Sequence, residues 1–272
     1  MKKILLMVVS LYFLCGCGDQ TQAKGESDSK YSNHIIVGAT PVPAAEILEF
    51  AKPLLEKEGF SMQVQVFTDY VMPDIALNDK SNDANLYQHK PYLEAQNSQR
   101  GFNLVSLAPI YVVPLALYSK NYKSVAEIPE GADVALPGDS SNLARALILL
   151  HNNGVIKLKD PNNLASTIEY DILENPKKLR FKPVEASSLP SIYPSVDAAV
   201  INANYALQAK MSVKDSLFYE DDTSIYVNVL AAREDNQDNP AILKLQEILL
   251  SKEVSEFILE KYKGEIIPVK KK

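Results

Sequence analysis

Only Arg100, Arg145, Arg180 and Arg233 are arginines among the 28 basic side chains of this chain, and Arg145 sits where a charged fork could do chemistry. It lies in Leu136-Pro137-Gly138-Asp139-Ser140-Ser141-Asn142-Leu143-Ala144-Arg145-Ala146-Leu147. There a strand leaves through a glycine turn, Ser140 or Ser141 can cap the following helix, and Arg145 falls in its first turns, near the positive end of the helix dipole. Such a place suits an anion, and a planar guanidinium matches a carboxylate better than an ammonium does. A surface arginine in a solvated ion pair fits the same residues equally well. Two aromatic segments could form the apolar side of a site. Phe67-Thr68-Asp69-Tyr70-Val71-Met72-Pro73 starts where a strand ends, and Asp83-Ala84-Asn85-Leu86-Tyr87-Gln88-His89-Lys90-Pro91-Tyr92 packs two tyrosines, a histidine and several amides and acids together. Singly, each aromatic is core material; jointly they suggest an apolar slot with polar tips at the carboxyl ends of strands, where α/β folds bind ligands. Asn202 and Asn228 are amides at or inside strands, against local propensity, which points to a hydrogen-bonding task; a turn or cap explains Asn202 or its neighbour Asn204 almost as well.

Other chemistries are missing from the pattern. His34, His89 and His151 stand far apart, outside any zinc-binding spacing, so no metal is expected. The only Gly-x-Gly is Gly16 to Gly18, near the N-terminus, which leaves no dinucleotide fingerprint or phosphate loop, and no cofactor is expected. No Gly-x-Ser-x-Gly elbow or acid-histidine spacing surrounds the serines, so an enzyme is not expected. A formal net charge of -6 argues against a nucleic-acid partner, which needs a basic face.

The elements that must hold these residues alternate along the chain. His34 to Thr40 reads as a buried strand, and a Pro41-Val42-Pro43 turn leads into a helix carrying Ile47, Leu48, Ala51, Leu54 and Leu55 on one side. Gly59 ends that helix, and Phe60, Met62, Val64 and Val66 alternate with polar residues as a strand does. Further strands are predicted at Leu104 to Ile110, Ala132 to Pro137, Leu179 to Val184, Asp197 to Ile201 and Ile225 to Ala232, with a helix over Asn142 to Asn153 closed by Gly154. Two amphipathic stripes, Ile242, Leu245, Ile248, Leu249 and Val254, Phe257, Ile258, Tyr262, read as core-facing helices. This is an α/β pattern with largely parallel sheets, and 272 residues suffice for two lobes with a cleft between them.

The N-terminus carries an address. Lys2 and Lys3 precede an apolar run from Ile4 to Cys15, too short to span a membrane comfortably, and Leu14-Cys15-Gly16-Cys17 follows the bacterial lipobox pattern. Residues 1–16 are expected to be a signal peptide and Cys17 to carry the lipid, with palmitate as the acyl chain; the polar stretch 17–33 is expected to be a flexible tether. Localisation is then the cell envelope, lipid-anchored on the extracytoplasmic side of a membrane.

In this order, these segments resemble the NlpA/MetQ family of lipoprotein substrate-binding proteins, the methionine-binding components of ABC importers. The resemblance runs from Ile35 to Pro268 and is sharpest at the two aromatic segments, Pro137 to Leu147, Ala198 to Ala206 and Lys261-Tyr262-Lys263-Gly264. It implies a two-lobed periplasmic-binding-protein architecture of type II whose lobes close over a free amino acid. Lobe one would be residues 34–116 and 226–272 and lobe two 117–225, with hinges near Pro114 to Tyr118 and Ser224 to Asn228. By the same resemblance Phe67, Tyr70, Tyr87, Tyr92 and His89 enclose the methionine side chain, Arg145 takes its carboxylate, and Asn142, Asn202 and Asn228 hydrogen-bond its backbone groups. Implied partners are methionine or a close analogue, the permease and ATPase of an importer, and the membrane through Cys17, with the protein itself a monomer. The family usually has phenylalanine in place of Tyr87, proline in place of Ser140, asparagine in place of Gly138 and glycine in place of Ala144. A more polar slot is therefore expected, which leaves D-methionine, methionine sulfoxide or a methionine dipeptide open as ligands, together with a differently set turn before Arg145. A surface lipoprotein serving adhesion or host contact is the alternative from another class.

Overall fold

The computed structural model describes residues 31–269 except 222. The signal peptide, Cys17, most of the tether and the terminal lysines therefore lie outside the described residues. In chain order the elements are β1 (His34–Ala39), α1 (Glu46–Lys57), β2 (Ser61–Val66), α2 (Met72–Asn78), β3 (Ala84–His89), α3 (Lys90–Arg100) and β4 (Leu104–Val112). There follow β5 (Leu115–Tyr118), β6 (Asp133–Pro137), α4 (Ser140–Asn152), β7 (Lys157–Leu158), α5 (Ile168–Asp171), β8 (Ile172–Glu174), β9 (Arg180–Val184), α6 (Leu189–Ile192), β10 (Ala198–Asn202), α7 (Ala203–Gln208) and β11 (Phe218–Tyr219). The chain closes with β12 (Val227–Arg233), α8 (Pro240–Leu249), α9 (Lys252–Tyr262) and β13 (Ile267–Pro268).

Two main sheets result, in the orders β13-β4-β12-β3-β1-β2 and β11-β5-β10-β6-β9, and β7 pairs with β8 in a small antiparallel ribbon. The βαβ units lie where the apolar runs and helical stripes predict them: β1 pairs in parallel with β2 and β3, and β6 with β9 and β10. The sheets are nevertheless mixed rather than largely parallel. β12 runs antiparallel to β3 and β4, and β5 antiparallel to β10 and β11. The reason is connectivity: β5 and β12 enter their sheets directly from the other one, without the helical crossover that a parallel neighbour requires.

Those two entries are where the chain passes between sheets, at Val113 and Pro114 and again over residues 220–226. The boundary expected at 116/117 cuts through β5. All four residues of that strand are buried, and it is bonded on both sides within the second sheet, so the first crossing is the two-residue link ahead of it. Ahead of β1 the Tyr31 hydroxyl donates to the Asp238 carboxylate, and the His34 N–H to Ser32 Oγ at 3.0 Å.

Packing follows the predicted stripes. Ile47, Leu48, Ala51 and Leu55 of α1 and Ile242, Leu245 and Leu249 of α8 are buried against the first sheet, and Phe50 stacks on Phe257 of α9 with ring centroids 4.1 Å apart. Ala146, Leu147 and Leu150 of α4 cover Leu117, Val134 and Val200 of the second sheet. The Pro41-Val42-Pro43 turn holds Val42 extended ahead of a cis Val42–Pro43 bond and delivers the chain through Ala44 and Ala45 into α1.

One close approach in the first sheet yields a test. A Cβ added at Gly38 in β1 would meet Asn82 Nδ2 at 2.5 Å and Phe67 Cε2 at 3.2 Å, and Asn82 is fully buried. Gly38→Ala should therefore lose about 1–3 kcal/mol through overpacking. An unchanged midpoint in chemical denaturation of the ligand-free protein would refute this.

Candidate functional site

Among the described residues, a cavity lies between the two sheets, walled on one side by residues of β3, α3 and β12 and on the other by α4, the end of β10 and the start of α7. Eight of the nine binding residues expected from sequence line it: Tyr70, Tyr87, His89, Tyr92, Asn142, Arg145, Asn202 and Asn228. Phe67 does not. It is half-buried beyond the end of β2, with its ring against the backbone of Gly38, so it supports the strand rather than the cavity.

The aromatic wall is a triangle. Tyr70, Tyr87 and Tyr92 have ring centroids 5.9 to 6.2 Å apart in tilted and edge-on pairs. Their hydroxyls decide its polarity. Tyr87 and Tyr92 both donate to the Tyr70 carbonyl, at 2.8 and 2.9 Å, and Tyr70 donates across to Asn204 Oδ1 at 2.6 Å. The Tyr87 hydroxyl therefore has no free proton to donate into the slot, because it is spent on a backbone acceptor. Burial pushes the phenols of all three above their ordinary value, so they remain neutral donors.

His89 closes β3 and caps α3, with the Tyr92 N–H donating to its Nδ1 at 3.1 Å. That bond assigns the proton to Nε2, which donates to Asn142 Oδ1 at 3.2 Å. Burial, reinforced by the charge of Arg145, pushes the His89 pKa down to about 3, so the ring is neutral. Asn142 lies in the first turn of α4. The cap of that helix is Asp139 rather than Ser140 or Ser141: its carboxylate accepts the Asn142 N–H at 2.9 Å, while Ser140 Oγ accepts from Gln99. An ionised carboxylate is the stronger acceptor at a helix N-terminus, and Asp139 holds the Ncap position. The turn preceding it is tight, since a Cβ on Gly138 would meet the Val184 carbonyl oxygen at 3.1 Å.

Asn142 and Arg145 are three residues apart and share one face of α4. Arg145 is only 1% exposed, which excludes a solvated surface pair. Its Nε donates to Glu220 Oε1 at 2.8 Å and its Nη2 to Glu220 Oε2, while Nη2 also donates to the Val113 carbonyl at 2.7 Å. The Tyr226 ring lies 4.5 Å from the guanidinium carbon. Glu220 Oε2 additionally accepts the Leu115 N–H at 3.0 Å, so this ion pair touches both crossings between the sheets. On β12, Asn228 sits at a bulge opposite His89 and donates its Nδ2 to the Tyr87 carbonyl at 2.9 Å.

The unpaired atoms around the cavity describe its chemistry. Asn202 Nδ2 donates to Asn142 Oδ1 at 2.9 Å, leaving Asn202 Oδ1 buried without a partner; Asn204 Nδ2 and Gln88 Oε1 are in the same condition. No bond engages Arg145 Nη1 within the described residues. Such a cavity offers donors from Arg145 and Asn204 and acceptors from Asn202 and Gln88, enclosed by apolar rings. Asn142 itself is committed at both ends, to Asp139 and to its two donors, and therefore orients its neighbours. Gln88, Val113 and Asn204 line the cavity, and Asp139, Glu220 and Tyr226 back it, without having been singled out for binding from the sequence. For Asn204 the signal was the run Asn202-Ala203-Asn204; Glu220, in an acidic loop, gave none. No cluster of three metal-ligating side chains occurs among the described residues.

Comparison with known proteins agrees with this architecture. The family model for NlpA lipoprotein matches residues 35–270. The chain is 40% identical to the D-methionine-binding lipoprotein MetQ of Escherichia coli over 92% of this chain and 91% of that one. It is 38% identical to outer membrane lipoprotein 2 of Mannheimia haemolytica, covering 98% of both. The solved structure of a nutrient-binding protein from Burkholderia cenocepacia bound to methionine superposes with a TM-score of 0.83 at 42% identity, over 86% of this chain and 99% of that one.

Two outcomes test the site's electrostatics. Glu220→Ala leaves a buried guanidinium uncompensated and should cost about 3–5 kcal/mol of stability in the ligand-free protein; a loss below about 1 kcal/mol, the scale of surface pairs, would refute the burial of the pair. For His89 the folded value of about 3 lies below the ordinary 6.5, so the unfolded chain binds a proton that the folded one refuses. Its share of stability is complete above 6.5 and is lost as pH falls toward 3. Nitrogen-resolved NMR should find the ring as the neutral Nε2–H tautomer throughout that window, whereas a midpoint near the ordinary value would contradict it.

Proposed function

The chain belongs to the NlpA lipoprotein family, and from that premise we propose that it is the substrate-binding protein of an ABC importer, lipid-anchored through Cys17 on the extracytoplasmic side of a membrane, which captures free methionine and delivers it to the permease. The lobes, one built on each sheet, close over the ligand about hinges at Val113 to Pro114 and residues 220–226. It acts by binding, not by turnover.

The observation that carries this reading is the set of unspent buried atoms. Free donors on Arg145 and Asn204 suit a carboxylate, and the acceptors Asn202 Oδ1 and Gln88 Oε1 suit an ammonium. The Arg145 charge is already balanced by Glu220 and His89 is neutral, so the site favours a zwitterion over a net ion. Beyond these groups the triangle of tyrosines presents ring carbon to a side chain, and an unbranched thioether gains about 0.3–1.5 kcal/mol from each sulfur-ring contact. With the Tyr87 and Tyr92 protons spent on the Tyr70 carbonyl, the slot has no hydroxyl to offer a sulfoxide oxygen.

Purified protein, stripped of co-purified ligand by partial unfolding and refolding, should gain stability with L-methionine, by about 2.7 kcal/mol at a concentration one hundred times Kd. The L-enantiomer is expected to bind more tightly than D-methionine, and methionine sulfoxide more weakly than either, by calorimetry. Arg145→Ala should abolish binding and, like Glu220→Ala, lower stability, so binding is measured at a temperature where circular dichroism shows the variant folded. Absence of any methionine-induced shift in verified ligand-free protein would reject the proposal.

A further inference from the structure

Asn202 can receive an ammonium only if its oxygen, and not its nitrogen, is the atom left over. Its Nδ2 is turned away to Asn142 Oδ1, and that choice depends on which way Asn142 points. An amide is nearly symmetric in shape, so packing alone does not distinguish its two orientations. Something that can only accept, or only donate, must break the tie.

The structure holds such a group at each end of the chain of bonds. At one end the Asp139 carboxylate receives Asn142 Nδ2 at 3.1 and 3.0 Å through its two oxygens, while Oδ1 also accepts the Asn142 backbone N–H. At the other end the Tyr92 N–H, which can only donate, occupies His89 Nδ1 and leaves Nε2–H as a donor. Asn142 Oδ1 is thereby held between two donors, His89 Nε2–H of the first sheet and Asn202 Nδ2 of the second. All three side chains are buried, at 2% to 4% exposure, so water does not compete for these positions.

We propose that Asp139 is a positioning residue that sets the donor and acceptor polarity of the binding site: through Asn142 it compels Asn202 to present its oxygen to the ligand's ammonium group. The inference rests on the reading of the cavity as an amino-acid site and deepens it. With Asp139 replaced by asparagine, the helix cap can be kept by the new Oδ1 while its Nδ2 faces Asn142. Asn142 then turns its oxygen toward residue 139 and its nitrogen toward two donors, and Asn202 relieves the conflict by presenting Nδ2 to the ligand. The ammonium then meets a donor. A ligand lacking that group is indifferent to the change.

Wild type, Asp139→Asn and Asp139→Ser are compared by calorimetry with two probes, L-methionine and its des-amino analogue γ-methylthiobutyrate. Serine retains a helix cap without the second carboxylate oxygen, and thermal unfolding verifies the fold of each variant. Wild type should prefer methionine, and both variants should lose at least about tenfold in methionine affinity while their affinity for the analogue stays within about threefold of wild type, since a tenfold change corresponds to about 1.4 kcal/mol. The His89 Nε2–H resonance supplies a second readout: it should exchange slowly in wild type and rapidly in Asp139→Asn, where it loses its acceptor. Mere loss of a nearby negative charge would leave that proton protected. Equal weakening toward both probes, unchanged methionine affinity, or an unchanged His89 proton each overturns the proposal. A wild-type protein that binds neither probe overturns the amino-acid reading itself, and this polarity assignment with it.

Discussion

A guanidinium with 1% of its side-chain surface exposed persists only where an opposite charge meets it, and the organisation of this molecule follows from how Arg145 satisfies that demand. Its partner, Glu220, comes from the segment that carries the chain back to the first sheet, and its neutral acceptor, the Val113 carbonyl, from the segment that carries it out. One ion pair thus fastens α4 to both crossings. Two of the guanidinium nitrogens are consumed in doing so, which fixes the plane of the fork and leaves Nη1 as its free edge. The internal balance of charge explains how so buried an arginine can face a cavity without a ligand to neutralise it.

The remaining polar groups obey the same rule of satisfaction at lower stakes. Every tyrosine of the aromatic triangle gives its proton to an oxygen, two of them to one carbonyl, and the rings are left to form an apolar surface. Asn142 is satisfied by a carboxylate and two donors, and Asn228 by the Tyr87 carbonyl. The buried atoms that stay unpaired are then informative, since a buried donor or acceptor without a partner costs about 1–3 kcal/mol. Three of them, on Gln88, Asn202 and Asn204, belong to residues that line the cavity, and their mixture of donors and acceptors matches a small zwitterion; others, such as those of Asn82 and Tyr118, lie away from it.

Bonds across the cavity also join the two sheets. Tyr70 to Asn204, His89 to Asn142 and Gln99 to Ser140 each join an element of the first sheet to one of the second, and the rings of Tyr70 and Tyr205 approach to 4.9 Å. Apolar packing joins the sheets as well, since Ile35 and Tyr111 of the first and Ala116, Tyr118 and Ile201 of the second belong to one buried hydrophobic cluster.

Periodicity alone located β1, α1, β2, α4, α8 and α9 to within a few residues, because alternation and helical stripes are local consequences of which face is buried. The same local logic placed Asn142 and Arg145 at the head of one helix and made Tyr87, His89 and Tyr92 neighbours. It misjudged the cap of α4, where Asp139 competes successfully with two serines, and of the aromatics that the resemblance implied Phe67 lies apart, its ring against Gly38. It gave no sign of Glu220. The mixed sense of the sheets was equally hidden, since it depends on the direction from which β5 and β12 arrive. The sequence by itself determined the α/β elements, the buried faces and the identities of most residues around the cavity. The tertiary structure decided which atoms of those residues are spent and which are free. The deciding bonds, Tyr70 to Asn204, His89 to Asn142 and Arg145 to Glu220, join positions 134, 53 and 75 residues apart, and the polarity of an amide or the counter-ion of an arginine is set by its partner and not by its neighbours in the chain.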